Sequence, residues 1–170
     1  MKSDIQSLSV AVIASMGLLA GATLPNKASA GGTTTVTVNA KVKGACKVTS
    51  APNTLDFGMI DPTGTANAVA TTTFVMQCSK GITSTAATDD NGLHFAGGTK
   101  QMELSSGGSF LPYSIGYSGD SGFTGAGFGS GAASKAVTVT GTITPAQYSN
   151  ATATAGSQVY TDTVTITVNP

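Results

Sequence analysis

Few residues in this chain are equipped for chemistry. It holds two cysteines, Cys46 and Cys78, a single histidine, His94, eight acids and eight lysines, and neither Arg nor Trp. A Ser–His–acid triad would have to use His94, and no nucleophile-elbow motif accompanies it. Asp56-Phe57-Gly58 spells the kinase magnesium triplet. Without a glycine-rich nucleotide loop or a His-Arg-Asp motif it reads as a strand followed by a turn. Residues 125–131 (GAGFGSG) resemble a dinucleotide loop in composition only, because they open no helix and follow no strand of the βαβ kind. Asp89-Asp90-Asn91-Gly92 offers oxygens to Ca²⁺, but too few further ligands stand nearby, and Asn-Gly is first of all a hairpin signal. Asn150-Ala151-Thr152 fits the glycosylation sequon, which by itself is uninformative. The expectation is a non-enzyme with no metal and no cofactor.

Composition agrees. Charged residues make up 9% of the 170 residues and formal net charge is zero, against about 25% charged in an ordinary soluble domain. No basic face exists to neutralise phosphates, which excludes nucleic acid as a partner. Hydrophobic residues still reach 40%, enough to build a core rather than a disordered chain.

Residues 1–30 read as a secretory signal peptide. Lys2 opens it, an apolar run of 17 residues follows at 8–24, and Ala28-Ser29-Ala30 forms the small-x-small cleavage pattern. The run is short for a membrane span and lacks a polybasic stop flank. Export and an even cysteine count together predict one structural disulfide between Cys46 and Cys78.

The rest of the chain alternates at period two, with Gly, Asn, Asp and Pro between the runs. Val36, Val38, Ala40 and Val42 share one face of the run at 33–42. Phe74, Met76 and Cys78 share a face of 71–78, with Leu93 and Phe95 expected in the same register. Further strands are predicted at 101–104, 111–117 and 135–143. The cleanest run is the last, where Tyr160, Asp162, Val164, Ile166 and Val168 alternate with threonines. Thr suits the solvent face of a pleated strand, which accounts for 26 threonines after residue 30. Such a pattern predicts a β-sandwich. The sequence ends at Asn169-Pro170 straight after its strongest strand, while 33–42 stands as a spare strand ahead of the first cysteine. A sandwich short of one strand would expose part of its core between two unpaired edges.

These stretches, in order, resemble the spore coat protein U domain family, which includes subunits of archaic chaperone–usher pili. The resemblance rests on Gly44-Ala45-Cys46-Lys47-Val48, Leu55-Asp56-Phe57-Gly58, Val75-Met76-Gln77-Cys78, residues 111–117 (LPYSIGY), 139–147 (VTGTITPAQ) and 160–168 (YTDTVTITV). It implies an all-β, incomplete immunoglobulin-like sandwich completed by a donor strand from a neighbouring subunit. Carried onto this chain, residues 31–42 would be the donor extension, with Val36, Val38, Ala40 and Val42 entering the neighbour's groove, and 43–170 the pilin domain. The implied partners are identical or related pilin subunits, a periplasmic chaperone and an outer-membrane usher. The implied location is a surface pilus serving adhesion and biofilm formation. The alternative is a single-domain adhesive or ligand-binding module using the Gly-rich loop, in which Phe123 and Phe128 either face outward as contacts or fold back into the core.

Overall fold

The computed structural model describes residues 31–170, so the signal-peptide reading of 1–30 lies outside the described residues. Eight strands follow in chain order: β1 (Cys46–Ser50), β2 (Ala68–Cys78), β3 (Thr88–Asp89), β4 (Lys100–Leu104), β5 (Phe110–Ser118), β6 (Lys135–Ile143), β7 (Tyr160–Thr161) and β8 (Ile166–Thr167). One helical turn, α1 (Pro145–Tyr148), sits between β6 and β7. Six strands form one antiparallel sheet in the order β1-β2-β6-β5-β4-β7, and β3 pairs with β8 in a second. The fold is all-β and immunoglobulin-like.

The longest ladder is β2 against β6, nine residue pairs from Ala68↔Ile143 to Met76↔Lys135. Alternation puts Ala70, Phe74, Met76 and Cys78 of β2 on the core face with Val137, Val139 and Ile143 of β6, all buried. Two apolar clusters result. Phe74, Met76, Val137 and Val139 form the one toward the Cys78 end, and Leu111, Tyr113, Ile143 and Tyr148 form the other. Ile166 and Val168 pack onto the first and Val164 onto the second, so the last strand lies across the concave face of the six-stranded sheet.

Three features depart from the pattern reading. The run at 160–168 keeps its alternation, with Asp162, Val164, Ile166 and Val168 half-buried between exposed threonines. It is nevertheless two strands: Tyr160–Thr161 edges β4, and Ile166–Thr167 pairs with β3. Leu93 and Phe95 do not join the core. They are 71% and 46% exposed, while His94 between them turns inward, its ring 6.0 Å from that of Phe110 and its Nδ1 3.6 Å from Glu103. Asn91-Gly92 has positive φ at both residues (68° and 83°), as a tight turn requires, yet it closes no hairpin, because β3 pairs with β8.

Residues 55–58 form no strand. Gly58 N–H donates to Asp56 Oδ1 at 2.8 Å and closes a local turn. Leu55 and Phe57 instead pack over Gly141, where an added Cβ would stand 2.6 Å from each side chain. At Gly125 a Cβ would lie 2.1 Å from the Cys78 carbonyl oxygen and 2.6 Å from that of Ser79. Both obstacles are backbone, held by the end of β2. Gly125→Ala is therefore expected to destabilise the domain by about 2–3 kcal/mol, read as a lower midpoint in urea at unchanged slope. An unchanged midpoint would contradict this packing.

Candidate functional site

The site is assembled from the two strand edges that the fold leaves unpaired. β1 is held to β2 by the disulfide Cys46–Cys78, whose Cα atoms are 4.0 Å apart, and by bonds around Ala45. Ser79 N–H donates to Ala45 O at 2.8 Å, and Ala45 N–H donates to Ser79 Oγ at 3.1 Å. Backbone groups along an antiparallel strand address its two sides alternately. Ala45 and Lys47 thus address β2, while the amides and carbonyls of Cys46 and Val48 point to the outer edge. β1 ends the strand order of its sheet.

The same reasoning applies to the last strand. Asp90 N–H donates to Thr165 O at 3.1 Å, Thr165 N–H donates to Asp90 Oδ1 at 2.9 Å, and Thr85 N–H donates to Asn169 O at 3.1 Å. Residues 165, 167 and 169 therefore spend their backbone groups on the β3 side. Those of Val164, Ile166 and Val168 face the opposite edge, with their side chains turned to the core. Between this edge and β1 lies a cleft of about 330 Å³ lined by Val48, Pro52, Phe74, Val164, Thr165 and Ile166. Its wall is apolar and its rims carry unused backbone donors and acceptors. The chemistry that fits is strand addition, in which an extended segment supplies hydrogen bonds to the edges and side chains to the floor.

The segment at 31–40 has no regular secondary structure. Val36 and Val38 are 81% and 86% exposed, and Val42 is 93% exposed. In the glycine-rich loop the two phenylalanines part company. Phe123 packs against the cluster of Phe74, Met76, Val137 and Val139. Phe128 stays 44% exposed beneath Lys47, whose Nζ is 5.0 Å from the ring centre. Buried Gln77 pins the loop: its Nε2 donates to the carbonyls of Gly129 and Ala132, and its Oε1 accepts from Gly129 N–H.

Sequence reading missed a polar network that fastens the last strand to the larger sheet. Tyr113 OH donates to Asp162 Oδ2 at 2.6 Å and Tyr117 OH to Asp89 Oδ2 at 2.7 Å. Lys100 Nζ lies 2.6 Å from Asp89 Oδ1 and donates to Asn91 Oδ1 at 2.9 Å. Burial and the adjacent carboxylates push both phenols well above the ordinary tyrosine range. Burial also raises the Asp89 carboxyl, but the hydrogen bonds from Lys100 and Tyr117 outweigh it and leave the group below its usual value. Asp90, held by Thr165 and then Gly92, is lowered as well. These aspartates are what the Ca²⁺ reading of residues 89–92 rested on, and here they serve a lysine, a tyrosine and backbone amides.

A depressed carboxyl pKa contributes stability that is present above the unfolded-state value, about 3.9, and lost as pH falls through the folded one. Acid is therefore expected to loosen the domain below about pH 4. Asp89→Asn should cost on the order of 2 kcal/mol at neutral pH by leaving Lys100 half-satisfied, and should flatten the acid limb of a stability–pH curve. Parallel curves for the two proteins would contradict this.

Among the described residues no group of three or more His, Cys, Asp or Glu is placed to hold a metal. No helix among them is long and apolar enough to cross a membrane. No curated protein matches the sequence. The family model for the Spore Coat Protein U domain matches residues 32–167, a span that includes both rims of the cleft. That domain is a structural module of pilin type, found in surface pilus subunits rather than enzymes. The chain belongs to the Spore Coat Protein U domain family.

Proposed function

We propose that the chain is a structural subunit of a chaperone–usher surface pilus and polymerises by donor-strand exchange, in support of adhesion and biofilm formation. In this reading residues 33–42 of one copy enter the cleft between β1 and residues 164–168 of another. A periplasmic chaperone fills the same cleft beforehand, and an outer-membrane usher directs the exchange. The observation that carries it is the complementarity of two parts of one chain. An apolar cleft with two unpaired edges stands in the domain, and an alternating Val-rich segment without a strand partner precedes it. Burying Val36, Val38 and Val42 would contribute about 1.5–2 kcal/mol each before ordering costs. A head-to-tail contact between two different surfaces of the same chain generates an open filament wherever its rotation does not close a ring.

Cysteine cross-linking within fibres tests this. Ile166→Cys combined in turn with Val36→Cys, Val38→Cys, Ala40→Cys or Val42→Cys is expected to give a ladder of covalent oligomers on a non-reducing gel. Positions on the inward face should react and Thr37→Cys should not. Monomeric products from every pair would refute the reading.

A further inference from the structure

The domain's charges are sorted along its length. Of the six lysines among the described residues, five are exposed at one end. Lys41 and Lys43 precede β1 and Lys47 lies in it. Lys80 follows β2, and Lys135 opens β6 opposite Met76. The sixth, Lys100, is half-buried and paired with Asp89. Asp120, a carboxylate near that end, is engaged by Ala87 N–H, which donates to it. Exposed Phe128 stands at the same end beneath Lys47.

The opposite end, where β2 begins and β6 finishes, carries exposed Asp56 and Asp61. Hydrogen bonds from Thr63 hold Asp61 below the usual carboxylate range, so it stays ionised. Beside it opens a cleft of about 400 Å³ whose lining includes Phe57, Met59, Ile60, Val69 and Tyr148. Met59 is wholly exposed and Val69 57% exposed.

Chain direction brings these two ends together. Gly44 packs against Ile82, where an added Cβ would stand 2.7 Å from Cδ1, and Ala45 is bonded to Ser79. Only about three residues, at most about 10 Å of chain, separate Val42 from this anchor at the lysine-bearing end. β1 runs away from that end, and residues 164–168 run toward it, from the Ile143 cluster to the Phe74 cluster. A donor entering with its last residue at the acceptor's lysine-bearing end would press every copy's lysine-bearing end against those of both neighbours. The opposite direction, antiparallel to residues 164–168, instead delivers the lysine-bearing end of one copy to the Asp61 end of the next.

Building on the donor-strand reading, we propose that consecutive copies make a second, end-to-end contact. Lys47, Lys80 and Phe128 of the inserting copy dock on the Asp61, Met59 and Val69 surface of the copy that receives its strand. Opposite charges across the junction set its rotation, and Phe128 and Met59 cover apolar surface that each copy alone leaves in water.

The test uses full-length chains assembled into fibres. Met59→Cys with Ser130→Cys, the Cys46–Cys78 bridge retained, is expected to give a covalent ladder in mature fibres. Adding Asp61→Lys should lower its yield by about fivefold, and adding Lys47→Asp to that chain should restore it. All these positions are exposed, and because Asp61→Lys also removes the bonds from Thr63, an unchanged melting temperature of each variant is the control for folding. If the pair at Val38 and Ile166 forms a ladder and the pair at Met59 and Ser130 does not, the end-to-end contact is refuted while strand exchange stands. If neither forms, strand exchange itself fails. A yield indifferent to Asp61→Lys would also overturn the proposed contact.

Discussion

A chain lacking residues 31–42 is expected to be exported and folded, and to give no fibres at all. It retains both rims of the cleft and the core beneath them, so it can receive a strand and cannot supply one. The loss per junction is large. Three valines at about 1.5–2 kcal/mol each amount to about 5 kcal/mol, and hydrogen bonds along two strand edges add about 1 kcal/mol apiece. A deficit of 5 kcal/mol alone lowers an association constant by more than a thousandfold. Mixed with intact chains, the truncated one can receive a donor but cannot insert into the cleft at the growing end, so it should enter a fibre only as its first copy. Gold labelling of a tag on the truncated chain should then mark one fibre tip and never the shaft. Fibres of ordinary length from the truncated chain alone would remove residues 31–42 from the assembly mechanism.

Cys46→Ser is expected to be the most damaging single substitution in the domain. The bridge joins residues 32 apart, and closing a loop of that size is worth roughly 3.5–4 kcal/mol by constraining the unfolded chain. For a domain of this size that corresponds to a fall of about 10–15 °C in Tm. A local effect compounds the global one. β1 is exposed along nearly its whole length, so little buried surface holds it to β2. Without the bridge it is left with its ladder bonds and the Ala45–Ser79 pair. Fraying of β1 would remove one wall of the cleft, and strand capture should fall together with stability. A melting shift under about 3 °C, or free thiols in the native protein, would contradict this account.

Much of the fold was legible in local pattern. Period-two alternation located β2, β5 and β6 because each buries one face, and the faces of Phe74, Met76 and Cys78 emerge as read. The disulfide was legible for a different reason, since two cysteines in a chain read as exported have only one way to pair. What alternation does not carry is the identity of the neighbour. Residues 160–168 look like one strand, yet they change sheets midway, because Tyr160 meets Leu104 while Ile166 meets Asp89. The reversal at His94 has the same origin, for its ring is drawn in by Phe110 and Glu103 from elsewhere in the chain. The Tyr113–Asp162 and Tyr117–Asp89 bonds span 49 and 28 residues, and no spacing rule reaches that far. The cleft was legible only as a shortage of one strand. Its rims, Val48 and Val164, stand too far apart in sequence for any motif to join them.

The nine-pair ladder between β2 and β6 also sets how a filament of such subunits meets a pull. Tension arriving at Ala45 passes through the Cys46–Cys78 bridge into the end of β2, beside its pairing with β6. From there it runs along the strands rather than across them. Bonds loaded in this way share the force and yield together, whereas bonds opened from one end yield one at a time. Wherever the pull is borne along this axis, the covalent bridge spares the short first strand and hands the load to the longest ladder in the molecule.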